Sequence, residues 1–519
     1  MVCKTYSAVL HGMEAVIVQV ETDARNGIPQ MQLVGALASE AKAAKDRVRV
    51  AVENSGFRLP PKHVTINLSP ADIRKEGTSF DLAVAISILA AFGFIPEEKT
   101  EGCMFVGELS LDGKLNAVPG ILPIARQAGK EDFHTLVVPE GNALEAALQD
   151  NVKVYGVKNL YEVAGFLSNA IKLTPVQPVD YEKMLDYSAD EITFGPDYAD
   201  IIGQTAAKRA LMIAAAGGHH LLMIGPPGSG KTALAERMPS ILPRMTQEEM
   251  LDISEVYSVT GNLTQHQKLI CKRPFQAPHH ATTITALIGG GRNARPGLIS
   301  LCHHGVLFLD EFTEFKTEVL ETLRQPLEGK KVSVARLNAT YIYPAAFQLI
   351  AAMNPCPCGY YPDRNKCRCQ QNQINRYIGK ISQPILDRMD MMIEIFPVRF
   401  EAIVANDSGI SSREIREKVS FARRRQEERF AGKDFFVNSD MGKKEIEEFC
   451  ILSKDAKKMM KQLFENTEFS TRRYFRILRL ARTIADLDDE DVIQKRHLAE
   501  AFGYSNIGKK YWGTQDETQ

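Results

Sequence analysis

The sequence predicts an α/β protein of about three domains, organised around one phosphate-binding loop. The apolar run 221–224 has the length and composition of a short buried strand, and it leads directly into the sequence IGPPGSGKT. A second apolar run, at 306–309, ends in two acidic residues. Strands that lead into a glycine-rich loop and into a pair of carboxylates are typical of nucleotide-hydrolysing α/β domains.

The segment 225–232 fits the pattern GxxxxGK[ST], which cradles a triphosphate. Its glycines let several backbone N–H groups converge on one phosphate, and the helix expected from Lys231 adds the positive end of its dipole. Lys231 is expected to reach the β and γ phosphates, while the hydroxyl of Thr232 ligates Mg²⁺. We therefore expect ATP and Mg²⁺ as cofactors, bound by Gly225, Pro226, Pro227, Gly228, Ser229, Gly230, Lys231 and Thr232.

Two further strand ends carry candidate residues for hydrolysis. Asp310, after the run 306–309, is expected to hold Mg²⁺ through water, and Glu311 is expected to polarise the attacking water. The run 347–352 is typical of another buried strand, and Asn354 behind it is placed to orient the water or the γ phosphate. The alternative for the acidic pair is an exposed strand end without a function.

Two arginines have two interpretations each. Arg388, just after a predicted helix, is either a surface residue paired with a neighbouring aspartate or an arginine finger that neutralises charge in an adjoining subunit's site. Arg472 lies in the first turn of a helix that Ser470 or Thr471 caps, where the helix dipole disfavours a cation unless an anion is near. It is therefore either simply exposed or a residue that reaches the bound nucleotide.

Composition limits the partners and the compartment. The net charge is only -1, so any contact with nucleic acid must come from local basic patches. The first residues show no charged leader followed by an apolar core, and the longest apolar stretch, 80–94, is too short for a bilayer and contains Asp81. We expect a cytoplasmic enzyme with no membrane partner and with its nine cysteines reduced.

Four of these cysteines form two CxC pairs separated by eight residues. In a reducing compartment four thiolates can enclose a tetrahedral structural zinc ion, although CxC is tighter than the usual knuckle spacing. Four free thiols and an iron–sulfur cluster are the alternatives. The candidate zinc ligands are Cys356, Cys358, Cys367 and Cys369.

Residues 1–175 alternate β-branched runs with helical stretches and predict a separate α+β domain. The sequence from Lys75 to Ser79 resembles the loop that holds the nucleophile of Lon peptidases, and the segment 107–121 resembles the strand and turn that lead to their catalytic lysine. Leu122 stands where that lysine is expected. Because a serine without a general base is a weak nucleophile, we interpret the domain as Lon-protease-like but non-proteolytic.

From about residue 410 the chain is predicted to be helical. The run of arginines in this part is interpreted as a solvated face; it contains Arg423, Arg424, Arg425 and Arg429.

The phosphate loop, VLFLDE, AAMNPCPCG, LDRMD and STRR…RTIADL together resemble the magnesium-chelatase-like AAA+ ATPases of the ComM/YifB group, over nearly the whole chain. The resemblance implies an AAA+ P-loop domain with a C-terminal helical lid, a hexameric ring, and an arginine finger at Arg388. It also implies sensor roles for Asn354 and Arg472. The expected divisions are 1–175, a linker at 176–195, the ATPase core at 196–400 with the cysteine insert at 356–369, the lid at 401–507 and a tail at 508–519.

ComM-type proteins are regarded as DNA helicases that drive branch migration during natural transformation, so the resemblance implies a DNA motor. The alternatives are a magnesium-chelatase motor subunit, an ATP-dependent peptidase and a protein-remodelling ATPase. Two segments are candidate pore elements, with ordinary surface cations as the alternative: a glycine-rich insertion with Arg292 and Arg295, and a predicted β-hairpin with Lys330, Lys331 and Arg336.

Overall fold

The computed structural model describes residues 2–36, 39–73, 75, 77–181, 196–263, 269–291, 294–336, 339–398, 400, 409–466 and 470–512. These residues form a mixed α/β structure with parallel strands, as the sequence predicts. Most of the predicted linker, 176–195, lies outside this part of the chain, as do Glu76 and Arg292. None of the helices in the described residues is both long and apolar enough to span a bilayer.

The N-terminal region contains a seven-stranded mixed sheet. Its strands are β1 (Val2–His11), β2 (Glu14–Arg25), β3 (Gln30–Val34), β4 (His63–Ser69), β5 (Cys103–Phe105), β8 (Thr135–Pro139) and β9 (Lys153–Val157), with β6 (Glu108–Leu109) and β7 (Leu115–Asn116) as a separate hairpin. Its helices are α1 (Ser39–Asn54), α2 (Asp81–Ala91), α3 (Ile121–Lys130), α4 (Glu140–Ala146) and α5 (Leu160–Leu167). The sheet order is β3-β4-β2-β1-β5-β8-β9, and the apolar helix α2 is buried along most of its length.

The central region is built on a second sheet and also contains two separate hairpins. The strands of the region are β10 (Leu221–Ile224), β11 (Phe275–Gln276), β12 (Gly289–Gly290), β13 (Arg295–Pro296), β14 (Val306–Leu309), β15 (Lys331–Ala335), β16 (Thr340–Pro344), β17 (Gln348–Met353) and β18 (Met391–Glu394). The hairpins of the region are β12–β13 and β15–β16. Its helices are α6 (Thr205–Gly217), α7 (Lys231–Glu236), α8 (Met238–Ile241), α9 (Gln247–Thr260), α10 (Ile284–Ile288), α11 (Leu298–Leu301), α12 (Thr317–Glu321), α13 (Arg324–Gly329), α14 (Gln371–Ile378) and α15 (Gln383–Leu386).

The central sheet has the order β11-β14-β17-β10-β18, and every neighbouring pair is parallel. All residues of β10, β14 and β17 are buried, which explains why these strands are continuous apolar runs. Because the strands are parallel, their carboxyl ends meet at one edge of the sheet. That edge carries the segments that follow β10, β14 and β17.

The C-terminal region is helical. It contains α16 (Ser412–Arg429), α17 (Lys443–Phe449), α18 (Lys454–Asn466), α19 (Thr471–Leu487) and α20 (Lys495–Trp512). The side chain of Ser470 accepts a hydrogen bond from the backbone N–H of Arg473, so Ser470 is the N-cap of α19. Apolar residues of α16 and α19 share one core with those of α6, which fixes this region against the central sheet.

Three of the four arginines on α16 do not form the solvated face that the sequence suggests, whereas Arg424 is exposed. Arg423 donates to the carbonyl oxygen of Ala215, and Arg429 forms a bidentate ion pair with Asp486, which is completely buried. Arg425 lies within salt-bridge distance of the same aspartate. The run therefore holds α16 against α6 and α19, because a buried carboxylate requires cationic partners.

The N-terminal region packs against α9. Leu122 is fully buried there with Met250, Ile253 and Val256. The position at which the resemblance to Lon peptidases places a lysine is thus occupied by an apolar contact between the two regions.

Polar groups complete this contact. The hydroxyl of Ser258, on α9, donates a 2.5 Å hydrogen bond to Glu145, and Arg126 forms a 3.0 Å ion pair with Glu255. The turn between β1 and β2 also lies against the hairpin β15–β16, since the ring centroids of His11 and Tyr341 are 4.8 Å apart.

Candidate nucleotide-binding site

The parallel sheet brings the predicted site residues of three separate segments together. The segment 225–230 follows β10, Asp310 and Glu311 follow β14, and Asn354 follows β17, which lies between those two strands. A carbonyl oxygen of β17 accepts a 3.1 Å hydrogen bond from the N–H of Gly225, so the loop is joined to the strand that carries Asn354.

Lys231 is buried at the start of α7 and contacts both sides of this edge. Its ammonium donates to the carbonyl oxygens of Gly225 at 2.7 Å and Pro226 at 2.9 Å, and to Oδ1 of Asn354 at 3.2 Å. Burial lowers the pKa of Lys231, and the charge of Asp310 opposes this effect. Within the described residues, the partners of the ammonium are backbone and amide oxygens. Phosphate oxygens can replace all of them without leaving a buried carboxylate unpaired.

Thr232 and Asp310 form the pair expected of a magnesium site. Oγ1 of Thr232 lies 2.6 Å from Oδ2 of Asp310, and Oδ1 of the same carboxylate accepts a 2.8 Å hydrogen bond from the N–H of Glu311. A hydroxyl and a carboxylate are both oxygen ligands that Mg²⁺ accepts, directly or through water. Thr232 is exposed and Asp310 is half-buried, so an ion that also contacts a phosphate can approach them.

Glu311 has the left-handed backbone conformation, with φ 50°, which is uncommon for a residue with a side chain. Its carboxylate lies 3.0 Å from Nδ1 of His280, in the segment that follows β11. The sequence motifs do not single out His279 or His280 as functional residues. Their rings lie 4.0 Å apart, but only His280 contacts the candidate base.

The glycines of the loop have identifiable roles. A Cβ atom added to Gly225 would lie 2.3 Å from the carbonyl oxygen of Ile395, so a side chain does not fit there. Gly228 and Gly230 have φ angles of 74° and 90°, where glycine is favoured. The hydroxyl of Ser229 is buried and lacks a hydrogen-bond partner within the described residues, which suits a loop that receives polar ligand atoms.

Arg388 lies at the other end of the sheet. It precedes β18, whose residues Met391 to Glu394 run parallel to β10, whereas the phosphate loop follows β10. Its guanidinium forms an ion pair with Glu328 on α13 and donates to the carbonyl oxygen of Pro384. The aspartates that the sequence offers as partners do not make this contact. Arg388 thus lies apart from the site of its own chain.

Arg472 is exposed in the first turn of α19, and the following residue, Arg473, is buried. Arg473 donates to Ser505 and Asn506 of α20 and joins the two helices. Arg476, one turn further on, donates to the carbonyl oxygen of Met389 at 2.8 Å. The helix is therefore attached to the segment that carries Arg388, a contact that the sequence pattern does not reveal.

The four cysteines of the insert converge. The sulfur of Cys356 lies 3.3 Å from that of Cys358 and 3.7 Å from that of Cys367, and all four sulfurs lie within 4.8 Å of one another. Sulfurs arranged tetrahedrally around Zn²⁺ at 2.3 Å are roughly 3.8 Å apart. The cluster therefore has the size of a four-thiolate zinc site.

Gln204 is a residue of this site that the sequence motifs do not identify. It has φ 53° ahead of α6, and its side-chain amide donates to the carbonyl oxygens of Ser229 at 3.1 Å and Phe396 at 2.7 Å. It thereby joins the phosphate loop to the end of β18. Its position directly after Gly203, before a predicted helix, is the sequence signal that could have identified it.

Three family profiles match the chain. The profile described as "Magnesium chelatase, subunit ChlI" matches residues 197–403, and "Subunit ChlI of Mg-chelatase" matches residues 20–142. The profile "Magnesium chelatase, subunit ChlI C-terminal" matches residues 409–505. Together they span the N-terminal, central and C-terminal regions of the structure.

Relatives extend the likeness to almost the full length. The chain is 43% identical to the competence protein ComM of Haemophilus influenzae over 96% of both chains, and 39% identical to the protein YifB of Escherichia coli, again over 96% of both. It is 25% identical to the magnesium-chelatase 67 kDa subunit of Chlorobaculum parvum, over 39% of this chain and 27% of that subunit. The chain thus belongs to the magnesium-chelatase-like AAA+ ATPases, in the ComM/YifB family.

Proposed function

We propose that the protein is a Mg²⁺-dependent ATPase that assembles into a hexameric ring and moves DNA, as a helicase that promotes branch migration in natural transformation or recombination. The ATPase assignment rests on one observation: at one edge of the sheet Lys231 contacts Asn354, and Thr232 contacts Asp310. The DNA substrate is supported by the relative that bears the name competence protein. Action in the cytoplasm is part of the proposal.

In this mechanism Lys231 exchanges its carbonyl partners for the β and γ phosphate oxygens of ATP. Thr232 and Asp310 hold Mg²⁺, which when bound screens the phosphate charge. Glu311 takes the proton of the attacking water, and Asn354 orients that water or the γ phosphate. Arg388 of an adjoining subunit neutralises the charge that develops, and Arg472 senses the nucleotide.

The domain divisions predicted from the sequence serve this mechanism. We propose that residues 196–400 form the AAA+ core, that 401–507 form a helical lid over it, and that 1–175 form a Lon-protease-like domain without peptidase activity. Ser79 supports the last assignment, because its hydroxyl donates a 2.9 Å hydrogen bond to the carbonyl oxygen of Ala8. Leu122, at the position where the resemblance places the lysine, is buried and carries no group that can act as a base.

The DNA contact is proposed for two elements that lie side by side. A Cβ atom added to Gly290 would lie 2.9 Å from the guanidinium of Arg336, so the tip of the hairpin β15–β16 adjoins the glycine-rich strand β12. Tyr343 donates a hydrogen bond to the carbonyl oxygen of Ala294 and joins the elements further. Arg295 and Arg336 are both exposed and form a local cationic surface, which we call the arginine patch.

Lys330 is less available to DNA than the arginine patch, since it forms an ion pair with Asp440. Lys331 is exposed at the base of the hairpin. A few cations repeated around a ring supply a phosphate-binding surface even though the chain has a net charge of -1.

A structural zinc ion held by the four cysteines of the insert is also part of the proposal. The sulfur positions fit a tetrahedral site, and two of the four cysteines, Cys356 and Cys367, are buried. Metal analysis of the purified chain tests this assignment, with one zinc per chain expected and loss of zinc expected for Cys358→Ser.

The function is tested by the ATPase rate with and without forked or four-way DNA. Stimulation is expected for the natural chain, and the double variant Arg295→Ala/Arg336→Ala is expected to lose it and to show a weaker salt dependence of DNA binding. Arg413→Ala is the matched control, because Arg413 is exposed on α16 and pairs with Glu417 of the same helix. Equal stimulation of the double variant would refute the arginine patch.

The alternative with specific support is a magnesium-chelatase motor subunit, because the three matching profiles carry that name. The chelatase relative, however, matches only 39% of this chain. An ATPase rate that does not change with DNA but rises with other chelatase subunits would favour this alternative. Protein remodelling without DNA stimulation would favour the remodelling ATPase.

A further inference from the structure

The cysteine insert touches the phosphate loop directly. Gly359 has φ 85°, and a Cβ atom added to it would lie 2.4 Å from Cδ and 3.1 Å from Cγ of Pro227. The backbone of the insert is therefore packed against the proline ring in the middle of the loop. A proline ring is rigid, so its position follows the surface on which it rests.

The position of Gly359 is in turn set by the cysteine cluster. Its N–H donates a 2.9 Å hydrogen bond to the carbonyl oxygen of Cys356, and it directly follows Cys358. The N–H of Tyr361, on its other side, lies 3.4 Å from the sulfur of Cys356. The short segment that supports Pro227 is thus bounded on both sides by groups that contact the cluster.

The same cluster constrains the other side of the site. Cys356 is only two residues beyond Asn354, whose side chain accepts a hydrogen bond from Lys231. The residue before Asn354, Met353, accepts the hydrogen bond from the N–H of Gly225. One group of four sulfurs therefore lies between two attachments to the phosphate loop, one through Gly359 and one through Asn354.

Four thiolates without a cation repel one another, whereas a bound zinc ion holds them at fixed distances. We propose that zinc in this cluster fixes the phosphate loop and Asn354 in the geometry that binds ATP, so that zinc and ATP bind cooperatively. The inference rests on the proposed ATPase function and adds a metal-dependent control to its site. Because the coupling between two ligands is reciprocal, ATP must also strengthen the binding of zinc.

The first test uses this reciprocity. A zinc-selective chelator competes with the full-length protein for zinc at equilibrium, with and without ATP and Mg²⁺, and the share of zinc bound to the chelator is measured by absorbance. ATP is expected to lower the dissociation constant for zinc about tenfold, within the usual range of coupling between sites. Lys231→Ala is the control, because it removes the phosphate contact and should make the zinc affinity insensitive to ATP. An equal zinc affinity with and without ATP in the natural chain would overturn the inference.

The second test changes the contact without touching a cysteine. Gly359→Ala is expected to retain one zinc per chain and to weaken ATP binding about tenfold, measured with a fluorescent ATP analogue. Gly432→Ala is the matched control, because Gly432 has a similar φ of 81° but an added Cβ would meet nothing within 4 Å. Full ATP affinity in a zinc-loaded Gly359→Ala variant would also overturn the inference. If Gly359→Ala fails to fold, the chelator test decides.

These outcomes separate the inference from the function on which it rests. A natural chain that binds no ATP would refute the proposed ATPase. A natural chain that binds ATP equally well with and without zinc would leave the ATPase intact and refute only the coupling.

Discussion

Nδ1 of His280 lies 3.0 Å from a carboxylate oxygen of Glu311. This placement follows from the sheet order, since His280 follows the edge strand β11, whereas the phosphate loop follows β10, two strands from β14 in the opposite direction. The contact holds the candidate base beside the segment that follows β11. We expect the carboxylate to leave the imidazole when it acts on water beside the γ phosphate.

Replacement of His280 by alanine is therefore expected to raise the ATPase rate in the absence of DNA. A hydrogen bond to a charged group that is partly exposed is worth roughly 0.5–1 kcal/mol, which corresponds to a two- to fivefold increase. Steady-state phosphate release measures the effect. His279→Ala is the control, because Nδ1 of His279 accepts a hydrogen bond from the N–H of Ala281 instead of contacting Glu311. A lower rate in His280→Ala would show that the imidazole assists catalysis.

Glu311→Gln is expected to bind ATP and to lose turnover. The amide keeps the size of the side chain but cannot accept a proton from water, and general bases contribute about 10²- to 10⁴-fold to rates. Equilibrium binding of ATP and the rate of hydrolysis are measured on the same preparation. Glu314→Gln serves as the control, since Glu314 pairs with Lys380 on the surface nearby. Undiminished hydrolysis in Glu311→Gln would remove Glu311 from the role of base.

Arg388→Ala and Lys231→Ala are each expected to abolish turnover, yet mixing the two proteins is expected to restore part of it. If the site is shared between subunits, about a quarter of the interfaces in a randomly mixed ring combine an intact Lys231 with an intact Arg388. Subunits are mixed under conditions that allow exchange, and ATPase activity is measured. Absence of any recovery would argue against an arginine finger.

The ion pair between Arg388 and Glu328 adds a check on this role. A finger that enters the neighbouring site must break the pair first. Glu328→Gln should therefore keep ATPase activity. If the pair served only to hold the fold together, neutralising Glu328 would instead lower the stability of the protein.

The parts of the site that sequence could predict are those in which the chemistry is contiguous. Each of these parts is a short run whose residue types indicate its chemistry: the segment 225–232, the acidic pair after β14 and the cysteine pairs. The strands that carry them were predictable because burial on both faces leaves uninterrupted apolar runs. The resemblance to the family identified the order of these segments.

The parts that sequence could not predict depend on which strands become neighbours. His280 contacts Glu311 only because β11 pairs with β14, and spacing along the chain contains no trace of that pairing. The arginine run on α16 looks solvated because its partner, Asp486, belongs to a helix that is distant in sequence. Position 122 is apolar because Leu122 packs against α9, and no local sequence pattern indicates that contact.

The buried side chain of His303 is expected to make the folded protein less stable in mild acid. Burial, followed by the charge of His304 nearby, lowers its pKa to about 3, and its Nδ1 accepts a hydrogen bond from the N–H of Ala346. Between pH 6.5 and that value the unfolded chain binds a proton that the folded chain does not, so stability falls as pH falls. The contribution between pH 7 and pH 5 is about 2 kcal/mol.

His303→Asn keeps an oxygen acceptor close to the position of Nδ1 but removes the titration. Its thermal unfolding temperature is therefore expected to fall less between pH 7 and pH 5 than that of the natural chain, as measured by calorimetry. His134→Asn is the control, because His134 is exposed. An identical fall in the natural chain and in His303→Asn would assign the acid sensitivity to other groups.

Leu122→Ala tests the attachment of the N-terminal region to the ATPase core. Leu122 is completely buried beside apolar side chains of α9, so truncation leaves a cavity and is expected to cost about 2–5 kcal/mol. Leu144→Ala is the matched control, since Leu144 is 52% exposed on α4. If the buried leucine also couples the two regions, limited proteolysis should release the N-terminal region from Leu122→Ala first. Equal stability of the two variants would show that the contact with α9 does not hold the regions together.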